Sequence, residues 1–186
     1  MKARLSSRTW AAAGVAVLVA SAMLASTGSC ASIPDSSRYT VIFAPDYKQF
    51  KGTAGDGVND FISKRCGTLD CHGQVGRPLR IYAADGLRIL DDAQNAPGGN
   101  PLTDVETLAN FQSVIGLQPE LMSQVFTDPT DNPPQSLLLI AKPRNLQHHK
   151  GGQVITQGDD GDQCLTTWIT GQVNAAECLS AANAFN

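Results

Sequence analysis

The sequence predicts a mainly α-helical fold, in which one small domain with long irregular loops follows a signal peptide and a tether. Apolar side chains recur at helical spacing in several separate segments. Stretches rich in glycine, proline and aspartate divide those segments. The chain opens with basic residues and then a long apolar run, which is typical of an export signal. The length of 186 residues suits a single domain.

Residues 1–29 form the predicted signal peptide. Its basic side chains all precede the apolar run of residues 10–25: Lys2, Arg4 and Arg8. A run of about 16 residues matches the apolar region of a signal peptide and is short for a transmembrane helix. We therefore expect the chain to be exported.

The small residues that precede Cys30 resemble the lipobox of bacterial lipoproteins, in which the cysteine receives a thioether-linked diacylglycerol. Thr27 departs from that motif, because lipoboxes usually have leucine at this position. The resemblance implies a lipid on Cys30 that attaches the protein to a membrane surface of the bacterial cell envelope, on the periplasmic or outer-surface side. Cleavage by an ordinary signal peptidase after Ala22 or Ala31 is the alternative.

Export changes both the charge and the cysteine count. The full sequence has 14 basic and 17 acidic side chains, whereas the chain after residue 29 has 11 basic and 17 acidic, a net charge of −6. This acidity argues against an electrostatic nucleic-acid binder. Lipidation of Cys30 leaves four of the five cysteines to enter an oxidising compartment, where unprotected thiols tend to pair.

Residues 30–55 are predicted to be a tether with one extended segment at residues 39–43, and the domain is predicted to span residues 56–172. Its first helix is indicated by four side chains that share one helical face: Val58, Phe61, Ile62 and Cys66. Gly67 suits the end of that helix.

Three further helices are predicted from capping and spacing signals. Thr103 and Glu106 form a capping-box pattern that opens the first of them. Pro119 suits the first position of the next helix. The closing helix is expected to begin around residues 160–162 and to end before Gly171.

The most informative stretch follows the first helix, where Cys66, Cys71 and His72 stand in the order used for c-type haem attachment. In that arrangement each thiol adds to a vinyl group of the haem, and the adjacent imidazole binds the iron. The common form has two residues between the cysteines, whereas this chain has the minority spacing of four.

Three stretches of the chain, in order, resemble the cytochrome c-like domains of bacterial exported proteins and lipoproteins. Residues 61–82 (FISKRCGTLDCHGQVGRPLRIY) resemble the helix, cysteine and CHG opening of those domains. Residues 137–152 (LLLIAKPRNLQHHKGG) resemble their LL, KP and histidine segment, and residues 165–171 (LTTWITG) resemble their closing helix. The resemblance implies a small helical domain with one covalent haem c, in which Phe61 and Trp168 pack the terminal helices together.

The resemblance also implies which residues hold the haem. They comprise two thiols, a proximal imidazole and a distal imidazole: Cys66, Cys71, His72 and His149. His148 and Met122 are the other candidates for the distal position. Histidine at that position predicts a lower reduction potential than methionine does.

Two other uses of the same residues remain open. One is a local disulfide between Cys66 and Cys71. The other is a zinc site built from these two thiols with His72 and His149, since four such ligands close a tetrahedral site. Neither use is compatible with haem attachment, because each thiol serves only one purpose.

Cys164 and Cys178 form the second predicted pair. A disulfide between them would tie residues 173–186, the predicted C-terminal tail, to the closing helix. It would stabilise the domain by about 3 kcal/mol in the loop-entropy model. Free thiols and an intermolecular pair are the alternatives.

Together these features predict an exported, lipid-anchored electron carrier with one haem, whose partners are a membrane surface and other redox proteins. The alternative is a haem-free, disulfide-stabilised structural or interaction lipoprotein of the cell envelope. We expect a carrier or a binding module rather than an enzyme, because the sequence offers no Ser-His-Asp arrangement, zinc-protease motif or paired catalytic carboxylates.

Overall fold

The computed structural model describes residues 41–89 and 100–184. Over these residues the protein is mainly helical, as predicted, with a short 3₁₀-helix at Pro134–Ser136 and two isolated β-bridges in place of any strand. Seven α-helices lie in the described ranges: α1 (Tyr47–Lys51), α2 (Val58–Cys66), α3 (Asp104–Ile115), α4 (Pro119–Thr127), α5 (Leu138–Ala141), α6 (Asp160–Ile169) and α7 (Ala175–Asn183). The predicted signal peptide, Cys30 and the start of the tether lie outside the described residues.

The helices with local capping signals form where the sequence places them. Helix α2 ends before Gly67, and Pro119 is the first residue of α4. Helix α3 opens with the expected capping box, in which the Glu106 amide donates to the Thr103 hydroxyl at 3.2 Å. Helix α6 is capped by Asp159, whose carboxylate accepts from the Asp162 amide at 2.8 Å.

Helix α1 lies inside the stretch predicted to be a tether. The Asp46 carboxylate caps it by accepting from the Lys48 amide at 2.9 Å. Phe50 on this helix is fully buried and packs against Phe111 and Trp168, with ring centroids 5.4 and 5.2 Å apart. The compact unit therefore begins at Ile42 rather than at residue 56.

The predicted C-terminal tail contains helix α7, so α6 is not the last helix as the sequence suggested. Helix α7 packs against both α6 and α2, and Ala181 and Ala182 are buried there. The predicted disulfide between Cys164 and Cys178 joins α6 to α7. The tail is thus part of the core.

Trp168 on α6 lies at the centre of the hydrophobic core and is fully buried. Its indole Nε1 donates to the Asp46 carbonyl oxygen at 3.1 Å, which attaches the start of α1 to α6. Phe61 on α2 is also buried, and its ring lies against Gly161, where an added Cβ would come within 2.6 Å of the ring. These contacts hold α1, α2 and α6 together.

A buried ion pair joins Arg88, which lies just before the undescribed residues 90–99, to Glu106 in α3. The Glu106 carboxylate is fully buried and accepts from Nε and Nη2 of Arg88 at 2.9 and 3.0 Å. It also accepts from the amides of Ile89 and Thr103, each at 2.9 Å. Burial raises the pKa of Glu106, but these hydrogen bonds outweigh burial and hold the pKa below its usual value.

Among the described helices, none has the length and apolar character needed to cross a bilayer.

Replacing Phe50 tests whether α1 belongs to the core. We expect Phe50→Ala to lower the free energy of unfolding by about 3–5 kcal/mol, because it removes a buried aromatic ring and leaves a cavity. Phe43→Ala is the matched control, since Phe43 is half exposed and should cost far less. Urea unfolding of both variants measures the difference. Equal, small losses would contradict the placement of α1 in the core.

The Glu106 pair predicts a pH dependence of stability. The pKa of Glu106 is lower in the folded chain than in the unfolded chain, so its stabilisation is complete above the unfolded value of about 4.5 and is lost as the pH falls through the folded value. We expect Glu106→Gln to cost about 3 kcal/mol at pH 7 and to reduce the loss of stability between pH 5 and pH 3. Urea unfolding across this range tests both, with Glu120→Gln on the surface as the control. An unchanged pH profile in Glu106→Gln would refute the assignment.

Candidate functional site

The cysteine–histidine motif forms a compact loop at the C-terminal end of α2. Cys66 is the last residue of the helix, and the spacer turns back at once, with the Cys71 amide donating to the Thr68 carbonyl oxygen at 2.9 Å. The His72 amide then donates to the Cys66 carbonyl oxygen at 2.9 Å. The four-residue spacer therefore returns Cys71 and His72 to the end of the helix that carries Cys66.

Close backbone packing keeps this loop small. A Cβ added to Gly73 would lie 2.0 Å from the Gly67 carbonyl oxygen, and one added to Gly86 would lie at the same distance from that oxygen. A side chain at either position would clash with the Gly67 carbonyl oxygen. The close approach of these three backbone segments therefore requires glycine at both positions. Gly73 follows His72 directly and thereby places it against the end of α2.

Cys66 and Cys71 are both free thiols, each partly exposed, whereas Cys164 and Cys178 are bonded. The local disulfide considered from the sequence is thus not formed in this structure. Burial raises the pKa of the Cys66 thiol to about 12, with a further contribution from the neighbouring Cys71. The Cys66 thiol is therefore protonated at neutral pH and is not a reactive surface thiolate.

His72 is oriented by a hydrogen bond from its own loop. Its Nδ1 lies 2.8 Å from the Leu79 carbonyl oxygen, and because a carbonyl only accepts, Nδ1 carries the proton. Burial lowers the pKa of His72, and the charges of His149 and Arg77 lower it further against the Leu79 hydrogen bond. The ring is thus neutral at pH 7, with its Nε2 lone pair available to a metal.

His149 has the same arrangement in a different loop. Its Nδ1 lies 2.8 Å from the Gly152 carbonyl oxygen, so Nδ1 is again the hydrogen-bond donor. Gly152 has a positive φ of 72°, a conformation that glycine adopts without strain. The ring also lies against Gly151, where an added Cβ would be 3.2 Å from Cε1 of His149.

Charged side chains hold the loop that carries His149. Nζ of Lys142 donates to the His148 carbonyl oxygen at 2.7 Å. The Arg144 guanidinium donates to both carboxylate oxygens of Asp162 at 2.6 and 2.7 Å, and this pair is almost fully buried. This bidentate ion pair therefore joins the loop to the N-terminal turn of α6.

The structure brings the two imidazoles together. The ring centroids of His72 and His149 are 6.3 Å apart and the ring planes are within 11° of parallel. A metal–imidazole bond is about 2 Å and the ring centre lies about 1 Å beyond the bonded nitrogen, so two imidazoles on opposite sides of one metal ion have centres about 6 Å apart. The separation of the ring centroids equals this spacing, and each ring is oriented by a hydrogen bond from Nδ1 within its own loop.

The other candidates for the distal position lie elsewhere. His148 is exposed. Met122 on α4 belongs to the hydrophobic core and is 2% exposed. No group of three or more His, Cys, Asp or Glu side chains in the described part of the chain is arranged to hold a metal ion, so these residues do not assemble the four-ligand zinc site considered from the sequence. A porphyrin requires only the two axial ligands, because its own nitrogens supply the other four.

Exposed apolar side chains flank both histidines in the sequence. Leu69 lies between the two cysteines, Val75 follows His72 by three residues, and Leu146 precedes His149 by three. Their exposed fractions are 56%, 77% and 63%.

Comparison of the chain with protein-family models, with curated proteins and with solved structures finds no match.

The sequence analysis named Cys66, Cys71, His72 and His149 as site candidates and did not name the groups that orient the two imidazoles. The carbonyl oxygens of Leu79 and Gly152 carry no signal in a residue pattern, because every residue has one. The Arg144–Asp162 pair was missed because its members are separated by 18 residues. The only available signals were the glycines around each histidine.

The thiol chemistry of the site can be tested in full-length protein produced without haem-attachment machinery. We expect iodoacetamide to modify Cys66 at pH 8 at least ~100-fold more slowly in the folded protein than in urea, because a thiol with a pKa of about 12 has little thiolate. Peptide mass spectrometry measures the rate at each cysteine. Cys164 and Cys178 are the internal controls, since their disulfide should block labelling without reductant. A Cys66–Cys71 disulfide, or fast native labelling of Cys66, would contradict the structure.

Proposed function

We propose that the protein is an exported c-type cytochrome-like electron carrier with one covalent haem. The observation that carries this proposal is the pair of near-parallel imidazoles, His72 and His149, with centroids 6.3 Å apart. Each has its Nδ1 on a backbone carbonyl, the arrangement typical of histidines that bind metals. The motif with Cys66 and Cys71 supplies the second, independent support.

Each residue has a distinct role in this proposal. Cys66 and Cys71 would hold the haem by thioether bonds to its two vinyl groups. His72 and His149 would hold the iron, each through Nε2. The exposed side chains of Leu69, Val75 and Leu146 provide apolar surface of the kind that a porphyrin covers.

Two histidine ligands favour electron transfer over catalysis. The haem would supply a one-electron couple at iron, and two histidine ligands would leave no position for a substrate. The protein's contribution is to orient both imidazoles through the carbonyl oxygens of Leu79 and Gly152, and burial lowers the pKa of His72. Histidine at both axial positions further predicts a low reduction potential.

The cellular setting follows from the N-terminal sequence. We propose that Cys30 carries a lipid and that the following residues tether the domain to a membrane surface of the bacterial cell envelope. In that position the domain exchanges electrons with other redox proteins through weak, transient contacts. The net charge of −6 after residue 29 favours partners with a basic surface.

Substitution of His149, the proposed distal ligand, tests the proposal. With haem-attachment machinery present, we expect the exported protein to be coloured, to retain its Soret band after acid–acetone extraction, and to gain the mass of one haem. We expect His149→Ala to change the spectrum from low-spin to high-spin, because it removes the ligand on one face of the iron. The neighbouring variant His148→Ala is the matched control and should leave the spectrum unchanged.

A colourless protein produced alongside a functional control cytochrome would contradict the proposal. It would favour the haem-free, disulfide-stabilised lipoprotein, in which the Cys164–Cys178 bond and the helical core serve an envelope structure or an interaction. A coloured His149→Ala protein with an unchanged spectrum would retain the haem but exclude His149 as its ligand. Met122→Ala would then identify or exclude the thioether.

A further inference from the structure

An open cleft of about 520 Å³ lies beside the loop that carries His72. One wall is the segment 76–80, and the other is the C-terminal half of α3. Its polar lining consists of Arg77, Arg80, Gln112 and Ser113. The described lining includes no Asp or Glu, so two guanidinium groups share a cleft without an internal counter-charge.

Arg77 has a buried donor that needs an acceptor. Its Nε is buried, and no acceptor among the described residues lies within hydrogen-bond distance of it. Leaving a buried charged donor without a partner is costly, so this atom indicates a missing anionic or polar group.

The second guanidinium is held in place by its surroundings. Arg80 lies over the ring of Tyr82, with its Cζ 5.5 Å from the ring centroid. The Arg80 amide donates to the Ser113 hydroxyl oxygen at 3.0 Å. Asn110 joins the same segment to α3 by accepting from the Tyr82 amide at 2.6 Å and donating to its carbonyl oxygen at 2.9 Å.

We propose that this cleft binds a carboxylate, with Arg77 as the principal donor and Arg80 as the second. Guanidinium groups match the planar geometry of a carboxylate and donate to it in pairs. The source of the carboxylate rests on the proposed function: a haem carries two propionates, and Arg77 follows His72 by only five residues. A free dicarboxylate has the same chemistry and is the competing source.

Potentiometry of the holoprotein separates these sources. We expect Arg77→Gln to lower the midpoint potential, because a propionate that loses its cationic partner stabilises the more positive, oxidised iron. Arg77→Lys should restore most of the potential by restoring the charge. Lys150→Gln removes an exposed charge next to His149 and is the matched control, for which we expect a smaller shift because solvent screens it. The absorption spectrum should stay unchanged in all three variants.

Binding of a free dicarboxylate is tested by adding succinate at constant ionic strength and following the NMR chemical shifts of the protein. The assignment to a haem propionate predicts that succinate causes no saturable change in the chemical shifts of the cleft residues in wild-type holoprotein. It is overturned if Arg77→Gln shifts the potential no more than Lys150→Gln does. A saturable succinate response that Arg77→Gln abolishes would then assign the cleft to a free carboxylate, and no response would exclude a carboxylate site altogether.

Failure of the proposed function gives a different result. A protein that never acquires haem removes the propionate as the source and contradicts the proposal for electron transfer. In that protein, succinate binding that depends on Arg77 would still establish the carboxylate site. The two conclusions are therefore separable by one set of variants.

Discussion

The contact between Phe61 and Gly161 joins the two helices that lie next to the two halves of the site. Phe61 lies in α2, which ends at Cys66 and leads into the loop with His72. Gly161 lies in the first turn of α6, next to Asp162, which holds Arg144 and thereby the loop with His149. An added Cβ at Gly161 would lie 2.6 Å from the Phe61 ring, so the close approach of α2 and α6 depends on a glycine there. A contact in the core thus brings together two loops that are far apart in sequence.

The two histidines share one physical arrangement despite their different loops. Each donates from Nδ1 to a carbonyl within its own loop, at a separation of seven residues for His72 and three for His149. Such short connections orient each ring without any contact between the loops. The distance between the two rings is set by the packing of α2, α6 and α7. Side-chain chemistry and helix packing therefore contribute separately to the site.

The parts of the fold that the sequence predicted have local causes. Capping side chains and apolar spacing decide where α2, α3, α4 and α6 begin and end, and those signals lie within a few residues of each boundary. Helix α1 has five residues and depends on burial of Phe50 against Trp168, a contact across more than a hundred residues that no local pattern contains. Helix α7 is rich in alanine and likewise gains its place from α2, α6 and the Cys178 bond. The same division holds in the site, where residue types were predictable and the carbonyls and ion pair that orient them were not.

In the proposed holoprotein, His72 and His149 would bind opposite faces of one haem iron. The electron paramagnetic resonance spectrum of the oxidised holoprotein tests it most directly, because that spectrum depends on the identity and the relative orientation of the axial ligands. Imidazole planes within 11° of parallel predict a rhombic low-spin signal. We expect this signal in the wild-type protein and its loss in His149→Ala. An axial high-spin signal in the wild-type protein would contradict the account.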